Sequence, residues 1–472
     1  LDKAMVEATA YANEIAQGGP TLRQGTVTST GNAIPNIVVP STFTIPLRTP
    51  FSLTASGSDG DAGDTLTYLW EQTDRGASAG TALQSNTKLD GPLFRQFGTA
   101  ANVSASDTLL YNSPGENLVT TDPTRVFPDL NQILADQTNA LTGTCAANDI
   151  ICFSEFLPTS SYVGFSGVND SPLSLHFRAT VRDGRGGVNS GNTTLLLDNT
   201  AGPLRVTSQG TAVSYAGGSS QALTWNVNNT NGPSLAPNVK ISLSTDGGQT
   251  YPYVLSASTP NDGTEQVSLP AVSTTTARLK VEAVNNVFFD VNHSNFTIIA
   301  PPVVTSVNPT SGPTAGGNNV TISGTGFTGV TAVAIGGNPC TGVSSVTDTQ
   351  LSCTAPAHAA GAVSVEVTTP GGTNAPNTLY TYVVPATTIS VNTFAQEDIV
   401  NGNCSLQEAI IAANTMAARD LCGAGGAATS IVLPAGVYTL NSPSSDQNDD
   451  SGFTANPVVT STIVIQGNGA RL

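Results

Sequence analysis

Asp59, Asp61 and Asp64 stand in the run Ser-Asp-Gly-Asp-Ala-Gly-Asp, and Glu71 and Asp74 follow one strand's length later. Calcium takes six to eight oxygen ligands, and closely spaced carboxylates on a glycine-rich turn supply them flexibly. These five residues are therefore the candidate metal site, with calcium as its ion. An acidic β-turn open to water is the competing reading. The twelve-residue EF-hand pattern is not met. A second acidic loop, Asp446-Gln-Asn-Asp449-Asp450, offers the same chemistry more weakly. Asp246, Asn261 and Asp262 read as turn residues that hydrogen-bond their own backbone.

The templates of catalysis are not met. The three histidines, His176, His293 and His358, stand apart. None lies in HExxH, the helical pair of zinc ligands with a glutamate base between them. His176 falls on a polar strand face and the other two in loop-like sequence, so solvated or hydrogen-bonded imidazoles are expected. There is no GxSxG elbow and no phosphate loop of the GxxxxGK[ST] type. Gly324-Thr-Gly-Phe-Thr-Gly329 matches GxGxxG, but the dinucleotide fingerprint needs a helix next and an acid about 20 residues on. Val330 to Ile335 is β-like, so glycines in a β-turn are expected there. The sequence predicts a non-enzyme, with no catalytic or cofactor-binding residues and no cofactor beyond calcium.

The six cysteines fall in three local pairs, Cys145 with Cys152, Cys340 with Cys353 and Cys404 with Cys422. No pair has CxxC spacing or a nearby histidine, which argues against structural zinc. One disulfide per predicted domain is the simplest assignment and implies an oxidising, extracytoplasmic location; free buried thiols are the alternative.

Only 10% of the 472 residues are Asp, Glu, Lys or Arg, against about 25% in ordinary soluble proteins. With 33 acids and 16 bases the formal net charge is −17. Nucleic-acid binders and peripheral membrane proteins need basic surfaces, so neither partner is expected. Lysine occurs at Lys3, Lys88, Lys240 and Lys280 and nowhere later, and Asp348 and Glu366 are the only charges from Pro302 to Val383. Such a surface gives trypsin-like proteases little to cut, and no Lys–Asn isopeptide link can form beyond position 280. No run of about 20 apolar residues is present to span a membrane. The start, Leu-Asp-Lys-Ala-Met, has no basic or apolar leader pattern and reads as a processed or truncated edge.

The elements that must position these residues follow from periodicity. Residues 1–33 read as an N-terminal helix, over about 1–17, and a linker. From Asn36 the apolar period is two: Leu66, Tyr68 and Trp70 share a face, as do Leu175, Phe177, Ala179 and Val181. Short strands between Gly, Pro, Asn and Asp predict sandwiches, here over 34–201, with inserted loops, and over 202–300. Thr245-Asp-Gly-Gly248 sits where a hairpin should close. A third unit, 301–384, offers Val320 with Ile322, Val333 with Ile335, and Val363, Val365 and Val367. In 385–472, Ser405 and Glu408 form an S-x-x-E capping box that opens a helix from Leu406 to about Asn414. If Cys404 pairs with Cys422 that helix must break, because eighteen helical residues span roughly 27 Å and bonded Cα atoms lie within about 7 Å. Ser430-Ile-Val-Leu-Pro and Thr462-Ile-Val-Ile-Gln then read as early rungs of a parallel β-helix.

Three stretches carry resemblances. Pro46-Leu-Arg-Thr-Pro-Phe-Ser-Leu-Thr-Ala-Ser-Gly-Ser-Asp, Asp64-Thr-Leu-Thr-Tyr-Leu-Trp-Glu, Gly91-Pro-Leu-Phe-Arg, Arg125-Val-Phe-Pro, Phe177-Arg-Ala-Thr-Val-Arg-Asp and Ser244-Thr-Asp-Gly-Gly belong together. Over about 1–299 they resemble the region that follows the catalytic domain in secreted bacterial reprolysin-like zinc metallopeptidases. Without HExxH, that family's zinc chemistry does not carry over to this chain. Ser306-Val-Asn-Pro-Thr-Ser-Gly-Pro, Gly316-Gly, Ile322-Ser-Gly-Thr-Gly-Phe and the Cys340/Cys353 pair resemble an IPT/TIG immunoglobulin-like domain. Cys404-Ser-Leu-Gln-Glu-Ala with Leu433-Pro-Ala-Gly-Val-Tyr is similar to the CSLREA segment opening bacterial surface β-helices, with Gln407 where that motif has Arg.

The expectation is a mainly β chain of tandem immunoglobulin-like sandwiches, one short helix and the start of a right-handed parallel β-helix. It would be extracellular, at a bacterial surface, and would serve as a structural or adhesive stalk or filament subunit. Its partners would be further copies joined head to tail, or a cell-surface protein or glycan. The alternative role is a non-catalytic recognition or anchoring region of a secreted metallopeptidase.

Overall fold

A computed structural model describes residues 31–76, 84–94, 119–164, 173–385, 388–440 and 456–471. The expected N-terminal helix and the acidic loop 446–450 lie outside the described residues. The chain is mainly β, and it divides into two compact units.

The first unit comprises residues up to 133 together with 137–203 and 286–288. Its larger sheet runs Phe43–Pro46, Val188–Asp198, Ser174–Arg182, Thr67–Gln72 in spatial order. A second ladder pairs Phe51–Thr54 with Thr124–Phe127 in antiparallel register. The period-two signal becomes the core directly: Leu175, Phe177, Ala179 and Val181 are fully buried. Phe51, Phe94, Phe127 and Phe177 meet between the ladders, with ring centroids 4.9 to 6.1 Å apart. Each such ring contributes about 1.5–3 kcal/mol by burial. Trp70 is 2% exposed, and its Nε1 donates to the Pro123 carbonyl at 2.9 Å, so this tryptophan belongs to the core. The long insertion before Ser174 holds two five-residue helices, Leu130–Leu134 and Ile150–Ser154, where the sequence suggested only loops. Five residues are too few for a helical apolar stripe to register. The second is started by Asp149, whose Oδ1 accepts the Cys152 N–H at 3.1 Å. Glu155 is almost wholly buried; burial pushes its pKa up, against the pull of Arg125, whose Nη2 lies 2.5 Å away.

The second unit comprises 134–136, 204–285 and 289 onward. Ser214–Ala216, Phe296–Ile299, Thr274–Ala283, Asn238–Ser244 and Tyr253–Pro260 form one sheet, and Thr264–Ser268, Ser220–Asn226 and Arg205–Val206 another. The turn at Thr245–Gly248 closes the hairpin between Asn238–Ser244 and Tyr253–Pro260, with Gly247 and Gly248 at positive φ. Between 303 and 383 a further sandwich encloses Val320, Ile322, Phe327, Leu351, Tyr380 and Tyr382. The three expected valines do not share one strand: Gly361–Val363 pairs with Tyr380–Val383, whereas Val365–Thr369 pairs with Ala332–Ile335. The chain changes sheets at Ser364, a switch that an unbroken period of two conceals. Gly324 to Gly329 leads from strand Asn319–Thr325 into strand Ala332–Ile335, so no helix follows the glycines. A Cβ on Gly324 would overlap the Val303 carbonyl, which explains its glycine.

From 388 on, Thr388–Ser390, Ala428–Leu433 and Thr462–Gly467 form a parallel ladder in that order, with Gly436–Val437 parallel to Ala470–Arg471 beside it. The helix Leu406–Thr415 packs on this ladder, capped by Ser405 and Glu408 as expected. It ends at Met416 in the left-handed region, and the chain returns to bring Cys422 beside Cys404.

One device recurs. In each of the three sandwiches an early strand lies parallel to the closing strand: Phe43–Pro46 beside Leu195–Asp198, Ser214–Ala216 beside Thr297–Ile299, and Ser311–Pro313 beside Thr381–Val383.

Candidate functional site

The acidic turn joins strand Ser56–Ser58 to strand Thr67–Gln72. It brings one carboxylate oxygen each from Asp59, Asp61 and Asp64 within 4.8 Å of one another. Asp59 Oδ1 accepts the Asp61 N–H at 2.8 Å, and Asp61 Oδ2 accepts the Ala33 N–H at 2.6 Å. The Asp64 side chain is wholly buried. Neither of its oxygens accepts a hydrogen bond, nor does the buried Oδ2 of Asp59. Arg185 places Nε 2.7 Å from Asp64 Oδ1 as an ion-pair contact, with its own side chain 66% exposed.

Arg185 belongs to the hairpin between Ser174–Arg182 and Val188–Asp198. In that hairpin Asp183 accepts from Asn32 Nδ2 at 2.6 Å, from the Arg185 N–H at 2.7 Å and from the Gly187 N–H at 2.9 Å. Burial would raise the Asp183 pKa, and these hydrogen bonds outweigh it and hold it low. The strap at Asn32–Ala33 therefore ties both loops to one end of the sandwich. A largely exposed guanidinium thus faces the buried Asp64 carboxylate, with one oxygen each of Asp59 and Asp61 close beside it.

The structure does not bring Glu71 and Asp74 to this cluster. The intervening strand advances about 3.3 Å per residue and carries both away. Glu71 is exposed and stands opposite Arg178. Asp74 is 4% exposed and accepts from His176 Nδ1 at 2.6 Å, the His176 N–H at 3.0 Å and Gln72 Nε2 at 2.6 Å. Of the five expected ligands three are gathered. The contributions of Asp183 and Arg185, more than a hundred residues downstream, went unread because only the strand register brings them there.

The other singled-out residues have structural surroundings. His293 Nδ1 and Nε2 lie 3.3 Å from Asp136 and 3.5 Å from Asp290. His358 stacks on Tyr382 with centroids 5.0 Å apart. The six cysteines form three disulfides, Cys145–Cys152, Cys340–Cys353 and Cys404–Cys422, with Cα separations of 5.8, 5.8 and 4.8 Å. Asp246 is a turn residue whose oxygens accept from Ser244, Gln249 and Thr250. Asn261 does more than brace its own turn: its Oδ1 accepts Trp225 Nε1 at 2.8 Å, and its Nδ2 donates to Thr230 and to the Ala236 carbonyl.

The family model for the IPT/TIG domain matches residues 302–382, and this segment is an IPT/TIG domain. Fibrocystin-L of Mus musculus is 39% identical over 70 residues, 15% of this chain and 2% of that protein. Fibrocystin-L of Homo sapiens is 40% identical over 74 residues, 16% of this chain and 2% of that protein. The chain thus spans about 2% of the length of the curated relatives it matches. Among solved structures, Bacteroides ovatus SGBP-B in complex with mixed-linkage heptasaccharide is similar at 13% identity and a TM-score of 0.17, over 75% of this chain and 71% of that one. The N-terminal eight immunoglobulin domains of the Down Syndrome Cell Adhesion Molecule align at 11% identity and a TM-score of 0.21, over 77% of this chain and 43% of that one. No helix among the described residues is long and apolar enough to cross a membrane.

Proposed function

We propose that this chain is a non-catalytic extracellular structural or adhesive array that acts as a stalk or filament subunit at a cell surface, with calcium at Asp59, Asp61 and Asp64 bracing its first sandwich. The disulfides and immunoglobulin-type domains support an extracellular adhesive or binding role. The observation that carries the filament reading is the C-terminal ladder and its two edges. Among the described residues, Thr388–Ser390 lies at one edge and Thr462–Gly467 at the other. The latter strand leaves Val464 57% and Ile465 45% exposed, beside Val437 at 65%.

An open edge with unpaired backbone groups is a template for a further strand. In this ladder the accepted strand is parallel and of like composition, a β-helix rung. A second copy can present its opposite edge, which gives a heterologous, head-to-tail contact, and such contacts propagate as fibres when the rotation does not close. Calcium would not take part in that contact. It would brace the loop 59–64 by joining the carboxylates of Asp59, Asp61 and Asp64, beside the ion pair that Arg185 makes with Asp64.

Sedimentation velocity of the protein over a range of concentrations tests the edge. Concentration-dependent polymers that collapse to a single slow species when Val464 and Ile465 are both changed to Glu would support the edge. Polymers that survive that double change or deletion of 430–472, or a monomer at every concentration, would overturn it.

A further inference from the structure

Beside Arg48, within the first unit, lies an open cleft of about 500 Å3, a volume common among small-ligand sites. Nine of its fourteen lining residues carry a hydroxyl or a carboxamide, Asn86, Thr87, Ser160 and Thr200 among them. Arg48 is the one charged side chain of that lining, in a protein of net charge −17.

The position of Arg48 is closely determined. Its φ is 54°, a left-handed value uncommon outside glycine and of the kind that clusters at ligand sites. Its N–H donates to the Pro158 carbonyl at 3.0 Å, and the preceding Leu47 N–H donates to Ala201 at 3.0 Å. The aliphatic stem runs along Gly143, where an added Cβ would stand 3.5 Å from Arg48 Cδ. At the tip, Nη1 donates to the Leu141 carbonyl at 3.1 Å, and no carboxylate among the described residues pairs with the guanidinium. Asp198, near the rim, already accepts the Thr200 N–H at 2.9 Å and the Thr200 hydroxyl at 2.7 Å. Burial pushes the Arg48 pKa down, as desolvation does to a cation without a nearby anion.

A guanidinium presents a planar fork that matches a carboxylate with two parallel hydrogen bonds. Hydroxyls both donate and accept, and carboxamides offer one group of each kind, so the remaining wall matches a ligand that is itself dense in hydroxyls. One cation suits one negative charge. We propose that this cleft binds a uronic-acid residue, free or carried by a glycan, with Arg48 on its carboxylate and wall hydroxyls such as that of Ser160 on its own hydroxyls, while Asn86 is held in the wall by the Cys145 backbone. This would make the first unit a glycan-contacting module, independently of whether the chain polymerises or binds calcium.

Isothermal titration of the full chain with D-glucuronate, D-glucose and sulfate tests the assignment. Glucuronate is expected to bind, with glucose and sulfate at least tenfold weaker. Arg48→Gln should weaken glucuronate binding tenfold or more, since a charge-assisted pair is worth roughly 1.5–3 kcal/mol, and Arg48→Lys should fall between. Ser160→Ala, at a hydroxyl lining the same cleft, should weaken binding several-fold while leaving the thermal unfolding profile unchanged, which separates recognition from folding. Retention on immobilised polygalacturonate would identify a polymer-borne sugar; binding of the monomer alone would identify a free or terminal one. No binding of glucuronate, equal binding of sulfate, or full affinity in Arg48→Gln with a native melt would overturn the proposal.

Discussion

Asp64 carries a wholly buried side chain whose one charged contact is the largely exposed Arg185, and a buried carboxylate costs several kcal/mol to the extent that its charge is not compensated. The expected consequence is a change of sign. Asp64→Asn should leave the melting temperature in chelator unchanged or higher, and should abolish the rise that calcium gives the unaltered protein, about 2.7 kcal/mol at a hundredfold excess over Kd. Scanning fluorimetry in calcium and in chelator reads both; a calcium-induced rise that persists in Asp64→Asn sinks the site. Asp246 makes a separate pH prediction. Burial would raise its pKa, but hydrogen bonds from Ser244, Thr250 and Gln249 hold it at about 2, below the ordinary 3.8. A lowered pKa means stability that is present above pH 3.8 and lost as pH falls toward 2. Asp246→Asn should therefore flatten the fall of melting temperature between pH 4 and pH 2. Asn261→Ala should cost about 3 kcal/mol in denaturant titration, because it strands the Trp225 indole N–H and the Ala236 carbonyl. At this scale the sequence grouped Asp59, Asp61 and Asp64, whose carboxylates the fold also brings together. It could not show that Asp74 is claimed by His176 or Asn261 by Trp225, since both pairings depend on which strands become neighbours.

Among the elements, the helix Leu406–Thr415 was the most legible, because a capping box is a local signal complete within four residues. Ser405 Oγ accepts the Glu408 N–H at 3.1 Å and donates to the Glu397 carbonyl, while the Ser405 N–H donates to Glu408 Oε2 at 2.9 Å. Ser405→Ala should destabilise this segment by about 1–2 kcal/mol, read as faster hydrogen exchange at the first helical turn with the sandwiches unaffected. Loss of the Cys404–Cys422 bridge by double serine substitution should cost roughly 2–5 kcal/mol in the same readout. The strands near Val363 were less legible: alternation reports that a residue is half-buried, not which sheet buries it. The two short helices of the insertion rest on tertiary burial, of Ile133 and Leu134 in the first and of Cys152 and Phe153 in the second, and leave no periodic trace.

For the whole molecule, composition already separated this chain from highly charged and helical proteins, and alternating hydrophobicity marked strands such as Ser174–Arg182. What remained hidden is how the sandwiches are closed. In the second, the Thr297 N–H donates to Val213 and the Gly217 N–H to Ile299; in the IPT/TIG domain, Thr381 donates to Thr310 and Thr314 to Val383. Tension that reaches such a pair enters at the beginning of its earlier strand and leaves at the end of the parallel closing strand. Those points lie at opposite ends of the pair, so the force runs along the strands and strains their cross-bonds together in shear; a hairpin pulled from its ends would open one bond at a time. Stretched between its termini, each sandwich should yield abruptly at high force. Thr297→Pro, which deletes one of those bonds, should lower the rupture force of one domain and leave the others at their original values.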